Sequence, residues 1–142
     1  MVDPHSQPRP VPPDGQPPPS LSVFFPCFNE RENLESLIRE AVQVLDTLGW
    51  EYEIIIVNDG SRDGTGELAD ALASRSPAIR TVHHPENRGY GAALQSGFRA
   101  ARKELVFYTD GDHQFDLKEL PGILPLIEQY DIVSGYRLSR QE

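Results

Sequence analysis

Four consecutive β-branched aliphatic residues, Ile54-Ile55-Ile56-Val57, restrict the fold more than any other stretch of the chain. Successive residues of a strand point to opposite faces. A run that is apolar at every position therefore needs cover on both sides, as the inner strands of parallel sheets have. The flanking segments agree. Leu21 to Phe25 is a short apolar run closed by Pro26 and reads as a first strand, with Glu53–Val57 as the second. Between them Leu34, Leu37, Ile38, Ala41, Val42, Leu45 and Leu48 recur at helical spacing. Asn29, with Glu32 three residues on, fits a capping box at the start of that helix, and Gly49 stops it.

The alternation continues. Leu68, Ala69, Leu72 and Ala73 mark a short helix, Ile79 to His83 a weak strand, and Leu94, Phe98 and Ala101 another helix. Leu105 to Thr109 reads as a fourth strand. Leu117 to Gln129 reads as a helix that Pro121 and Pro125 break or shift, and Ile132 and Val133 as the start of a fifth strand. Strand and helix in alternation predict an α/β fold, a mostly parallel sheet with helices on both faces. Right-handed crossovers collect the loops after the strands along one edge, where open parallel sheets bind ligands. Those loops, 26–30, 58–65, 110–116 and 134–137, hold most of the chemically rich residues.

Composition sorts the ends of the chain and its partners. Eight of the 13 prolines lie in residues 1–20, which read as a disordered, partly polyproline tail; residues 21–142 form one modest domain. A net charge of −9 argues against nucleic acid and against a polybasic membrane patch. No apolar run is long enough to span a bilayer, and the N-terminus lacks the features of a secretory signal. The single cysteine, Cys27, excludes an internal disulfide and fits a reducing, cytoplasmic setting.

The sharpest chemical feature is Asp110-Gly111-Asp112 at the end of the fourth strand. In an extended chain these carboxylates share one side, giving hard oxygen ligands for Mg²⁺ or Mn²⁺; Gln114 adds a carbonyl oxygen. Gly111 lets a ligand approach the backbone. An ordinary polar turn is the plainer alternative. An EF-hand is rejected: Phe115 and Pro121 replace its turn glycine and closing Glu, and the imitation starting at Asp59 follows a strand. Asn58-Asp59-Gly60-Ser61 is either a simple turn or a carboxylate facing a base or ribose. Gly89-Tyr90-Gly91 suggests a dinucleotide fingerprint, but Leu94 fills the third glycine position. His83 and His84 read as strand ends, His113 as a solvated loop residue, Cys27 as buried and inert, and Arg137 as a surface charge or a phosphate partner.

Together these segments resemble family 2 glycosyltransferases, and within them the dolichyl- or polyprenyl-phosphate sugar synthases. The resemblance is carried by Pro26-Cys27-Phe28-Asn29-Glu30, Val57-Asn58-Asp59-Gly60-Ser61-Arg62-Asp63-Gly64-Thr65, Asn87-Arg88-Gly89-Tyr90-Gly91, Asp110-Gly111-Asp112-His113-Gln114 and Gly135-Tyr136-Arg137. Phe28 stands where the family has Tyr, and Asn58 where Asp is commoner. The resemblance implies a Rossmann-like GT-A fold, here the donor-binding part of a longer domain. It implies that Pro26, Phe28 and Glu30 hold the nucleoside and that Val57 and Asp59 flank base and ribose. Asp110 and Gly111 would line the donor, Asp112 and Gln114 ligate Mg²⁺ or Mn²⁺, and Arg137 touch the diphosphate, with Asp110 and Asp112 as the catalytic pair. The implied reaction is inverting transfer from a GDP-mannose or UDP-glucose type donor to polyprenyl or dolichyl phosphate. It would proceed at the cytoplasmic face of a membrane, with only peripheral contact or contact through further segments. A nucleotide-sugar-binding module without turnover and an NAD-dependent oxidoreductase resting on Gly89 and Gly91 are the competing readings.

Overall fold

The computed structural model describes residues 16–135. It contains four strands, β1 (Leu21–Cys27), β2 (Tyr52–Asp59), β3 (Ile79–His84) and β4 (Leu105–Tyr108), all parallel, in the order β3-β2-β1-β4. Three helices link them, α1 (Arg31–Leu48), α2 (Thr65–Ser74) and α3 (Tyr90–Ala100). The short α4 (Leu120–Ile123) comes next, flanked by 3₁₀ turns over Leu117–Glu119 and Leu124–Glu128. Pro121 and Pro125 explain that fragmentation, since neither can donate to a preceding turn. The fifth strand expected at Ile132 and Val133 does not form; Ile132 is 85% exposed and unpaired with the sheet.

The aliphatic run behaves as its pattern requires. Ile54 and Ile56 join Leu21, Val23, Phe25 and Cys27 on one face, under α1, α2 and the α4 segment. Ile55 and Val57 join Phe24 on the other, under α3. All four residues of the run are fully buried. Each such side chain contributes roughly 1.5–3 kcal/mol relative to exposure. Gly97 lets α3 approach the sheet, because a Cβ there would collide with the Phe24 ring.

β1 runs two residues beyond its expected end and passes through Pro26. The carbonyls of Ser20, Phe24 and Pro26 accept from Leu105, Thr109 and Gly111 on the β4 side. In a parallel ladder the N–H and C=O of one residue point the same way. The N–H that Pro26 lacks thus faces the β4 side, beyond the last β1–β4 pair at Phe24 and Tyr108, and the β2 ladder loses nothing. Ser20, assigned from sequence to the tail, is already bonded to the sheet, and its hydroxyl accepts from Glu104 N–H at 3.1 Å.

At the opposite end of the sheet the buried Glu53 accepts from Ser22 Oγ (2.6 Å), Arg102 N (2.7 Å) and the Arg80 guanidinium (2.7 and 3.0 Å). Burial opposes its charge, but these bonds outweigh burial and hold the carboxyl below its usual range. The staple fixes the α3–β4 connection and thus where β4 begins. No helix among the described residues is long and apolar enough to cross a membrane.

Candidate functional site

Strand order reverses beside β1: β2 and β3 lie on one side, β4 on the other. Such a switch point opens a crevice at the carboxyl ends of the strands. The loops after β1 and β4 flank it.

The loop after β1 differs from the expected capping box. Asn29 is not the N-cap; it adopts a left-handed conformation (φ 53°), and Glu30 precedes α1 without a side-chain cap. Asn29 instead fastens the neighbouring loop. Its N–H donates to Ser61 Oγ and its Oδ1 accepts from Arg62 N–H, both at 3.0 Å. Glu30 N–H donates to Thr65 Oγ1 (3.0 Å) and Arg31 N–H to Asp63 Oδ2 (3.2 Å). Asp63 also receives the hydroxyl and N–H of Thr65. Desolvation in the loop disfavours its charge, yet these donors prevail and keep the carboxyl low. The outcome is a double loop fastened by these bonds that leaves Phe28 47% exposed.

The loop after β2 is anchored from beneath. Asp59 is buried, and its carboxylate is saturated. Oδ1 accepts from Arg88 N–H and pairs with His84 Nδ1, both at 2.8 Å. Oδ2 accepts from Gly89 N–H (3.0 Å) and Asn87 Nδ2 (3.2 Å). Burial alone would raise its pKa; the backbone donors and His84 overcome that and lower it. His84 Nε2 meets Ser96 Oγ at 2.7 Å, which ties α3 to the same network. Gly89, at φ 96°, makes the turn into α3 in a conformation that favours glycine.

The acidic loop turns at Gly111 and Asp112 instead of staying extended. The two carboxylates accordingly take different partners. Asp110 Oδ1 accepts from the Tyr90 hydroxyl at 2.8 Å, and Asp112 Oδ1 accepts from Gln114 N–H at 3.1 Å. The absence of a side chain at Gly111 is required by the protein interior: a Cβ there would lie 2.5 Å from Cys27 Sγ and 3.2 Å from the Pro26 carbonyl. Cys27 lies beneath the site. Burial, with the Glu30 and Asp110 carboxylates near it, pushes its thiol up to about 12. His113 is partly buried and held by the protein, not a free loop residue. It adopts φ 61° and docks on α1 through Glu40 and Ser36, holding the loop against that helix.

A family model described as Glycosyl transferase family 2 matches residues 22–142. The chain belongs to that family. It is 35% identical over 125 residues to an undecaprenyl-phosphate 4-deoxy-4-formamido-L-arabinose transferase of Edwardsiella ictaluri, covering 86% of this chain and 38% of the relative. The enzyme of the same name from Pseudomonas fluorescens is 37% identical over 127 residues, with 86% and 36% covered. A Pyrobaculum calidifontis mannosyltransferase solved with GDP-Man and Mn²⁺ superposes with a TM-score of 0.66 at 26% identity, over 85% of this chain and 36% of that one. The glucosyl-3-phosphoglycerate synthase of M. tuberculosis gives 0.59 at 28%, over 77% and 41%. The chain thus spans little more than a third of the curated relatives it matches.

With the family 2 GT-A fold assigned, the expected site residues sort by position. Phe28, Glu30, Asp110 and Asp112 belong to the loops that border the crevice, and Gln114 is exposed beside them. Val57 is completely buried against the α3 face, so its side chain is packed in the core with Phe24, Ile55 and Ala93. Asp59 is likewise committed to protein donors and shapes the wall through the 87–89 turn. Pro26 is buried and engages Gly111 through its carbonyl. Tyr136 and Arg137 lie outside the described residues. Gly91 stands in open space with no close approach to explain it, and the family assignment displaces the nicotinamide reading built on Gly89 and Gly91. Sequence reasoning missed His84, Ser96 and Tyr90. His84 comes directly after His83 at the end of β3, and its weight comes from Asp59, 25 residues earlier.

Proposed function

We propose that the chain carries the donor site of an inverting glycosyltransferase that uses a GDP-mannose or UDP-glucose type donor and a polyprenyl phosphate acceptor. The observation that carries this reading is the placement of the β1 loop (Phe28, Glu30) and the β4 loop (Asp110, Asp112) on either side of the switch point. The names of the relatives, which act on undecaprenyl phosphate, support the acceptor class.

The Phe28 ring offers a stacking face to the base, without the hydroxyl of a tyrosine. Glu30, whose Oε2 already accepts from Asn33 Nδ2, takes donors of the nucleoside on its remaining lone pairs. Asp110 faces the ribose and sugar. The residues fit Mg²⁺ or Mn²⁺: the donors are hard oxygens, and such ions commonly take one or two carboxylates and complete their shell with phosphate and water. No cluster of three or more His, Cys, Asp or Glu side chains gathers as a cage among the described residues, in keeping with a shell that the donor completes. Asp112 and Gln114 would hold the ion, which when bound supplies neutralising charge to the departing diphosphate. Arg137 adds a cation to the same group. A phosphate oxygen of the acceptor attacks the anomeric carbon as the bond to the diphosphate breaks, with inversion. That nucleophile is already anionic, so no general base is required. A lipid acceptor places the reaction at a membrane surface, in this reading the cytoplasmic face.

Calorimetry with GDP and UDP, with and without Mn²⁺, tests the site. Asp112→Asn should abolish the Mn²⁺-dependent part of nucleotide binding and preserve the thermal midpoint; unchanged metal dependence defeats the assignment. Labelled donor with undecaprenyl phosphate then separates an enzyme from a module that binds without transfer.

A further inference from the structure

Tyr90 is 55% exposed at the first position of α3, yet its hydroxyl is aimed inward, donating to Asp110 Oδ1 at 2.8 Å. An exposed aromatic directed at an acid of the crevice needs a rigid base, and α3 has one. The N–H groups of Arg88 and Gly89, immediately before Tyr90, both end on Asp59. Six residues into α3, Ser96 is joined to the same carboxylate through His84. The helix is therefore pinned at its start and along its length by one buried acid.

The Ser96–His84–Asp59 connectivity is that of a hydrolytic triad, but it lacks the rest of the machinery. Ser96 lies inside α3, where backbone N–H groups are engaged in the helix and none is left to stabilise an oxyanion. Asp59 is saturated by four donors, two of them backbone N–H groups. The chain of bonds is an anchor, and what it anchors toward the crevice is Tyr90.

We propose that Tyr90 is a positioning residue whose hydroxyl holds Asp110 in a single side-chain rotamer facing the donor pocket. One oxygen of Asp110 is taken by Tyr90, so the other is presented to the ligand in a fixed direction. Asp112 has a different partner, the Gln114 N–H, and is oriented independently. The two acids are thus assigned separate tasks by separate hydrogen bonds. The consequence for binding rests on the donor-site reading above, whereas the rotamer itself does not. Fixing a side chain before binding removes an ordering cost from the bound state.

Two measurements on the whole chain decide it. In the wild-type protein the Hβ couplings of Asp110 should report one rotamer, and in Tyr90→Phe they should average, with the thermal midpoint kept. Averaged couplings in the wild type, or unchanged couplings in Tyr90→Phe, overturn the proposal. In calorimetry with GDP or UDP plus Mn²⁺, Tyr90→Phe should weaken binding about fivefold, the size of one hydrogen bond. The same change in an Asp110→Ala background, where no acceptor for the Tyr90 hydroxyl remains, should cost nothing further; an equal additional loss overturns it. A wild-type chain that binds neither nucleotide removes the donor-site reading, and the couplings still decide the role of Tyr90.

Discussion

Replacing Asp59 by Asn tests whether this acid of the second motif shapes the wall or touches the ligand. The substitution keeps shape and removes one acceptor, and the geometry fixes the consequence. With the amide oxygen at the Oδ1 position, Arg88 N–H and His84 keep their partner, but an NH₂ group confronts the Gly89 N–H. With the amide turned over, Gly89 is satisfied and the Arg88 N–H is orphaned; His84 and Asn87 can adapt by exchanging tautomer or flipping. Either orientation leaves one backbone N–H unpaired, at about 1–3 kcal/mol. The surviving bonds also lose their ionic acceptor, about 1 kcal/mol more. The expected loss is thus about 2–4 kcal/mol, a large fraction of a typical domain's stability. Urea titration should show it as a midpoint lowered by about 1–2 M. Hydrogen exchange should speed at Arg88 and Gly89 before it does in β2.

The pH dependence carries a sign. Donors to the carboxylate lower the folded pKa of Asp59. Its contribution is complete above the unfolded value of about 4 and fades as pH falls through the depressed folded value. The Asn variant should therefore lose less stability than the wild type on acidification below about pH 4. A loss under about 1 kcal/mol at neutral pH, with unchanged exchange at Arg88 and Gly89, would refute the anchoring argument.

The packing beneath the crevice sets two further outcomes. Gly111→Ala drives a Cβ to 2.5 Å from Cys27 Sγ and should destabilise by about 1–3 kcal/mol in thermal melts; in a Cys27→Ala background, where the sulfur is gone, it should cost markedly less. Folded protein should leave Cys27 unreactive toward Ellman's reagent at about pH 8, with full reaction once guanidinium unfolds it, since burial and two nearby carboxylates disfavour the thiolate; rapid labelling of the native chain would contradict this.

What the sequence disclosed and what it withheld divide along a physical line. Periodicity reports burial, so Ile54–Val57, the α1 stripe and Gly49 (left-handed, φ 77°) were legible as elements and ends. The alternation of strands and helices placed the loops after the first, second and fourth strands at one sheet edge, which is why the crevice could be anticipated before any contact was known; the fourth expected loop, 134–137, follows a strand that does not form at Ile132 and Val133. A residue's type does not say which neighbour its polar atoms will meet. Asn29 has the right chemistry for a helix cap, but 32 residues later Ser61 and Arg62 supply partners that a local cap cannot match. Gly111 suits a backbone exposed to ligand, yet it is the Cys27 sulfur that leaves no room for a side chain. Asp59 shows the same limit most sharply. A carboxylate after a buried strand fits either a ribose or a pair of backbone N–H groups, and only the turn at Arg88 and Gly89 decides between them. On the proposed donor-site reading, conservative changes at the two acids therefore fail differently, by lost metal-dependent binding at Asp112 and by a loosened wall at Asp59. Metal-dependent affinity reports the first and amide exchange the second.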